Sequence, residues 1–129
     1  MGVVHKAIMV VEDEFLIRLL VVQILSDAGF DVLEAEDGNR ASDILDEADA
    51  LHLLITDINL PGGLDGNDVA LKAKARFGDI PVIYLSGRPD SLRNSLGRRD
   101  TFIPKPYTLS ALGDTQKLPL HGGTLGEMV

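Results

Sequence analysis

Short apolar runs alternate with helix-like stretches five times along this chain, and that alternation constrains the fold more than any other feature. Ala7 to Val11 (AIMVV) has the length and composition of a buried strand. Glu14 to Ala28 follows with helical character and stops at Gly29. Asp31 to Ala35 is a more polar strand nearer an edge. Asn39 to Ala48 reads as a helix with Ile44, Leu45 and Ala48 inward. Leu51 to Thr56 is a third apolar run, and Leu60-Pro61-Gly62-Gly63 is a loop by its turn chemistry. Asn67 to Phe77 is helical and ends at Gly78, before the strand run Pro81 to Leu85. Pro89 to Leu96 has room for a short helix, Thr101 to Ile103 is a fifth strand, and Thr108 caps a last helix from about Leu109 to Leu118. Strands alternating with helices predict an α/β domain, a parallel sheet covered on both faces. Crossovers are then right-handed, and ligands bind beyond the carboxyl ends of the strands.

Composition narrows the function classes. The 129 residues suit one domain, 1–118, followed by a weakly ordered tail, 119–129, rich in glycine. No cysteine is present, which rules out disulfides and thiolate metal sites. The apolar stretch Phe15 to Leu25 is interrupted by Arg18 and Gln23 and is too short to span a bilayer. No signal-peptide pattern opens the chain, so a cytoplasmic location is expected. A net charge of −8 argues against nucleic acid or an anionic membrane as partner, since phosphate contacts need clustered Lys and Arg. The one basic cluster, Arg93, Arg98 and Arg99, reads as solvated surface, and His5, His52 and His121 lack metal-ligand spacing.

The predicted fold gathers particular residues at one rim. Glu12 and Asp13 follow the first strand, Asp57 the third, Ser86 the fourth and Lys105 the fifth. Taken singly each has an ordinary explanation: Asp57 as a turn residue, the acidic pair as a complement to a helix N-terminus, Ser86 as a turn residue and Lys105 as surface. Together, three carboxylates repel one another and need a cation to offset them. Lys105 is one such cation and magnesium, with its preference for oxygen ligands, the other. A carboxylate beside both is equipped to attack an activated phosphoryl group and form an aspartyl phosphate.

Four motifs carry a resemblance. VVEDE (Val10 to Glu14), LLITDINLP (Leu53 to Pro61), YLSG (Tyr84 to Gly87) and FIPKPY (Phe102 to Tyr107), in that order, resemble the receiver domains of bacterial two-component response regulators, over about residues 5 to 117. The resemblance implies a flavodoxin-like doubly wound five-stranded sheet of order 2-1-3-4-5. It makes Asp57 the phosphoacceptor. Asp13 then binds magnesium directly, Glu12 mainly through water, and Asn59 through its backbone carbonyl. Ser86 becomes the switch hydroxyl, Lys105 the partner of a phosphoryl oxygen, Phe102 the aromatic switch and Pro106 a cis-proline. The implied phosphodonor is a sensor histidine kinase or a histidine phosphotransfer protein, with output by contact with an unknown downstream protein from a monomer or weak dimer. The implied chemistry is confined to the chain's own phosphorylation and dephosphorylation, so no enzyme acting on a separate substrate is expected.

Three departures qualify this. The segment Pro61 to Gly66 is about one residue longer than the common loop, and its two adjacent glycines predict mobility. Ser86 to Lys105 spans 105 − 86 = 19 residues, roughly three short of the usual, which shortens the fourth helix region of the output face. The last helix is interrupted by Gly113 and soon meets Pro119. The first helix carries more apolar residues than one buried face needs; Ile17 and its neighbours are a candidate docking face for the phosphodonor's helices. Arg88, two residues after Ser86, is expected near the path of a water attacking the phosphoryl group. The chain reads as a single-domain regulator, with a receiver fragment of a larger hybrid kinase or regulator as the alternative. A magnesium-dependent aspartyl-phosphate phosphatase is disfavoured because Asn59 stands where such enzymes place a proton-transferring Asp. A phosphorylation-blind scaffold is disfavoured by the presence of Asp57 and Lys105, and a flavin-binding domain by the acidic rim.

Overall fold

A computed structural model describes residues 5–86, 97 and 99–104. Within them lie five strands and three helices: β1 Ala7–Val11, α1 Phe15–Asp27, β2 Asp31–Ala35, α2 Gly38–Glu47, β3 Leu53–Asp57, α3 Gly66–Phe77, β4 Val82–Ser86 and β5 Thr101–Pro104. The proposed helices at 89–96 and 109–118, the tail, Lys105 and Pro106 lie outside the described residues, as does the side chain of Ser86.

The strands form one parallel sheet in the order β2-β1-β3-β4-β5, as expected. The strands are short and apolar because both faces are covered, and successive side chains supply opposite cores. Met9, Val11, Leu54, Val82 and Tyr84 point into the core shared with Ala41 and Leu45 of α2 and Val69, Ala70 and Ala73 of α3. Ile8, Val10, Leu53, Ile55, Ile83 and Leu85 form the opposite core with Val21 and Leu25 of α1. Each fully buried Leu or Ile contributes about 1.5–3 kcal/mol relative to an exposed one.

Boundaries moved by a residue or two for identifiable reasons. β3 begins at Leu53 rather than Leu51, because His52 closes the ladder first: Ala7 donates its N–H to His52 Nδ1 at 2.9 Å and accepts from His52 N–H at 2.9 Å. β4 begins after Pro81, which has no N–H to donate but accepts from Leu54 N–H through its carbonyl at 3.2 Å. α2 starts at Gly38 because Asp37 caps it, accepting from Arg40 N–H at 2.7 Å. α3 starts at Gly66 behind a capping box in which Asp65 and Asp68 accept each other's backbone N–H at 2.9 and 3.0 Å.

The lengthened loop after β3 is seated against α2. A Cβ on Gly38 would run into the Leu64 carbonyl oxygen, so the bare glycine lets the loop rest on the first turn of α2. Gly62, at φ +89°, supplies the left-handed residue the loop needs.

Candidate functional site

The site follows from strand register. Val11 of β1 pairs with Thr56 of β3, so Glu12 and Asp57 leave the two strands side by side. Their carboxylates and that of Asp13 each offer an oxygen within 4.8 Å of the others. Glu12 is fully buried, Asp57 is 4% exposed, and Asp13 opens to solvent. The site is therefore a partly sunken acidic notch with one accessible side.

Backbone contacts fix the notch. Glu12 donates its N–H to Ala35 O at 3.1 Å, tying it to the end of β2. Its Oε1 accepts from Glu14 N–H, also at 3.1 Å. Glu14 is the N-cap residue of α1 and makes no cap bond with its own side chain, so Glu12 serves that end of the helix as well as the notch. On the other side, Thr56 Oγ1 donates to Asp57 O at 2.9 Å, and Gly66 N–H donates to Ile58 O at 2.9 Å. A Cβ on Gly66 would collide with Asp57 O and Ile58 Cα, so α3 can approach the end of β3 only through glycine. Asn59 lies exposed two residues beyond Asp57, on the same rim.

The chemistry of the donor set suits a hard divalent cation. Among the described residues the cluster offers carboxylate oxygens, and a separation within 4.8 Å is close to the about 4.2 Å between opposed ligands on one magnesium ion. A water between one member and the ion would accommodate the difference, the role that the resemblance implies for Glu12.

The remaining expected residues fall as follows. Ser86 ends β4 opposite Pro104 in register. Phe102 pairs in register with Tyr84 and packs, half-buried, on the core shared by α2 and α3. Ile17 turns inward and packs on the α1-side core. The exposed apolar residues of α1 are instead its neighbours Phe15, Leu16, Leu19 and Leu20, with Leu16 at 69%.

Sequence reasoning passed over three residues. Arg18 donates from Nη1 to Glu12 O at 2.8 Å and from Nε to Glu34 Oε1 at 3.3 Å. Its signal was a lone cation inside an apolar helix, read only as an interruption. Gly66 gave no signal beyond its place in a glycine-rich loop. Lys74 bonds Asp100, whose side chain is 3% exposed, at 3.0 Å, joining the end of α3 to the approach to β5. This contact links residues 26 apart whose proximity no local pattern shows.

These features define a doubly wound parallel-sheet domain with an acidic notch at its strand ends, and comparison with known proteins gives the family. Residues 8–115 match the response regulator receiver domain, and the chain belongs to that family. It is 34% identical over 123 residues to the chemotaxis protein CheY1 of Helicobacter pylori, covering 91% of this chain and 97% of that one. It is 36% identical over 104 residues to the aerobic respiration control protein ArcA of Escherichia coli, covering 78% of this chain but 42% of ArcA. The chain thus spans less than half the length of that longer relative. A crystal structure of a response regulator receiver protein from Sinorhizobium medicae superposes with a TM-score of 0.77 at 26% identity, covering 84% of this chain and 88% of that one. Among the described residues no helix is long and apolar enough to cross a membrane.

Proposed function

We propose that this receiver is a cytoplasmic switch that accepts a phosphoryl group on Asp57 with magnesium bound. The observation that carries the reading is the meeting of Glu12, Asp13 and Asp57 at the ends of β1 and β3 in a chain of this family. In the step proposed, a carboxylate oxygen of Asp57 attacks the phosphorus of a phosphohistidine. The P–O bond forms as the P–N bond breaks, and the departing imidazole takes a proton from solvent. Glu12, Asp13, Asp57 and the Asn59 carbonyl hold magnesium, which when bound offsets charge on the phosphoryl oxygens. Lys105 pairs with one of those oxygens, Ser86 hydrogen-bonds another, and Phe102 follows Ser86 inward.

The donor is a histidine kinase or a histidine phosphotransfer protein, whose helices dock on the exposed apolar side of α1. The added phosphoryl group brings roughly 1.5 to 2 negative charges at neutral pH, by analogy with phosphoserine. That charge biases a two-state element around β4 and β5, and output is by protein contact. The chain acts on its own carboxylate and not on a separate substrate.

Acetyl phosphate with magnesium should add one acid-labile phosphoryl group, read by intact mass. Asp57→Asn should abolish it. Labelling that persists in that variant would reassign the site.

A further inference from the structure

We infer that Arg18 is a positioning residue for the metal site, acting through the peptide that joins Glu12 to Asp13. This rests on the reading of Glu12, Asp13 and Asp57 as the magnesium ligands. The Glu12 carbonyl and the Asp13 N–H belong to one planar peptide unit, so fixing the oxygen fixes the direction in which Asp13 leaves β1. Arg18 Nη1 holds that oxygen at 2.8 Å in a charge-assisted hydrogen bond. Glu12 N–H, bonded to Ala35 O at 3.1 Å, anchors the other side of the residue. Asp13 itself is exposed, and a carboxylate at the open side of the notch relies on its backbone for placement.

The arginine is well placed for this. Its side chain is 12% exposed, its Nε engages Glu34 at 3.3 Å, and its guanidinium lies 5.6 Å from the Phe15 ring centroid. One planar fork thereby serves a carbonyl on the β1–α1 loop and a carboxylate on β2 at once. A lysine, with a single ammonium on a flexible stem, lacks that geometry.

Charge and position make opposite predictions, which separates them. A fixed positive charge beside a cation site weakens cation binding, and Glu34 offsets only part of it. If Arg18 acted by charge alone, removing it would tighten magnesium binding. If it positions Asp13, removing it weakens binding.

The test is the dissociation constant of magnesium chloride, measured by calorimetry well below the unfolding temperature. Arg18→Met keeps the apolar stem and should weaken binding roughly tenfold, the lower end of what loss of an outer-shell partner costs. Arg18→Lys should fall between Met and the unaltered chain. Val22→Ala, on the same helix and packed on the α1-side core, should lower stability and leave the constant unchanged. Binding by Arg18→Met as tight as, or tighter than, that of the unaltered chain would overturn the inference, as would equal weakening by Val22→Ala. Should Arg18→Met not fold, Arg18→Lys decides: weaker binding supports positioning and unchanged binding overturns it. Absence of magnesium binding by the unaltered chain is a different result, refuting the proposed function itself.

Discussion

Gly66→Ala tests whether the end of β3 is shaped by the glycine that opens α3. On helix propensity alone the substitution should help, since Ala is favoured over Gly by up to about 1 kcal/mol. Much of that advantage is the smaller freedom of the unfolded chain, worth about 0.4–1 kcal/mol and not a further gain. Against this stands the space. The new methyl would meet Asp57 O, Asp57 C at 3.0 Å and Ile58 Cα at 2.8 Å, all backbone atoms that cannot rotate aside. Overpacking typically costs about 1–3 kcal/mol, and rigid partners place this case at the upper end or slightly beyond. The net expectation is a loss of about 2 kcal/mol, or roughly 6–8 °C in unfolding temperature for a chain of this size. Because the displaced backbone belongs to Asp57, phosphoryl uptake from acetyl phosphate should slow as well. Gly29→Ala is the control. Gly29 has φ +96° and nothing within 4 Å of its added Cβ, so it should lose stability through backbone strain alone and keep its uptake rate. Thermal unfolding followed by circular dichroism, with uptake followed by mass, gives both readouts. An unfolding temperature for Gly66→Ala at or above that of the unaltered chain would refute the close approach of α3 to β3.

Two further outcomes follow from the described contacts. Burial, then the negative charges of Asp100 and Asp65, push the Tyr84 phenol up to about 12. Its folded value thus lies above the unfolded one near 10, so its contribution to stability is intact below about pH 10 and is lost as pH rises toward about 12. Tyr84→Phe should flatten that part of the stability-against-pH curve measured by urea unfolding, and an unchanged slope would count against the buried phenol. Leu16→Glu, at a position 69% exposed, should leave stability within about 0.5 kcal/mol. It should slow phosphotransfer from a histidine kinase while leaving uptake from acetyl phosphate unaltered, and a kinase rate equal to that of the unaltered chain would remove α1 as the docking face.

How much of this was legible in the sequence depended on whether a residue's role is local. Ala7–Val11 and Asp31–Ala35 were readable to the residue because short runs with apolar residues, set between helix stops and turn residues, have few other ways to fold. Glu12, Asp13 and Asp57 were readable because a parallel sheet sends the ends of its strands to one rim, and register then sets Glu12 beside Asp57. The face of α1 was not. With Phe15, Leu16, Ile17, Leu19 and Leu20 all apolar, hydrophobic pattern cannot say which side is core, and the choice of Ile17 for the surface followed from that ambiguity. Packing on β1 and β3 turns Ile17 inward and leaves Leu16 and Leu20 outside. Gly38 and Gly66 were silent for a related reason. Neither has positive φ, so neither is required by local conformation. Each is required by a backbone segment arriving from elsewhere, Leu64 on Gly38 and Asp57 on Gly66.

The same division runs through the site. Glu12, Asp13 and Asp57, which the fold brings together, were readable because their chemistry is written in their side chains. Those that hold them in place act through the backbone: Arg18 on the Glu12 carbonyl, Thr56 and Gly66 at the Asp57 carbonyl. A carboxylate can be recognised as a nucleophile or ligand from its type and position in a motif. Its aim is set by whatever fixes its peptide: for Asp13 a contact from α1 beyond the motif, and for Asp57 its motif neighbour Thr56 together with the close approach of α3 at Gly66. Changes at Arg18 and Gly66 should therefore alter what the notch binds and how fast it reacts while every acidic residue remains in place.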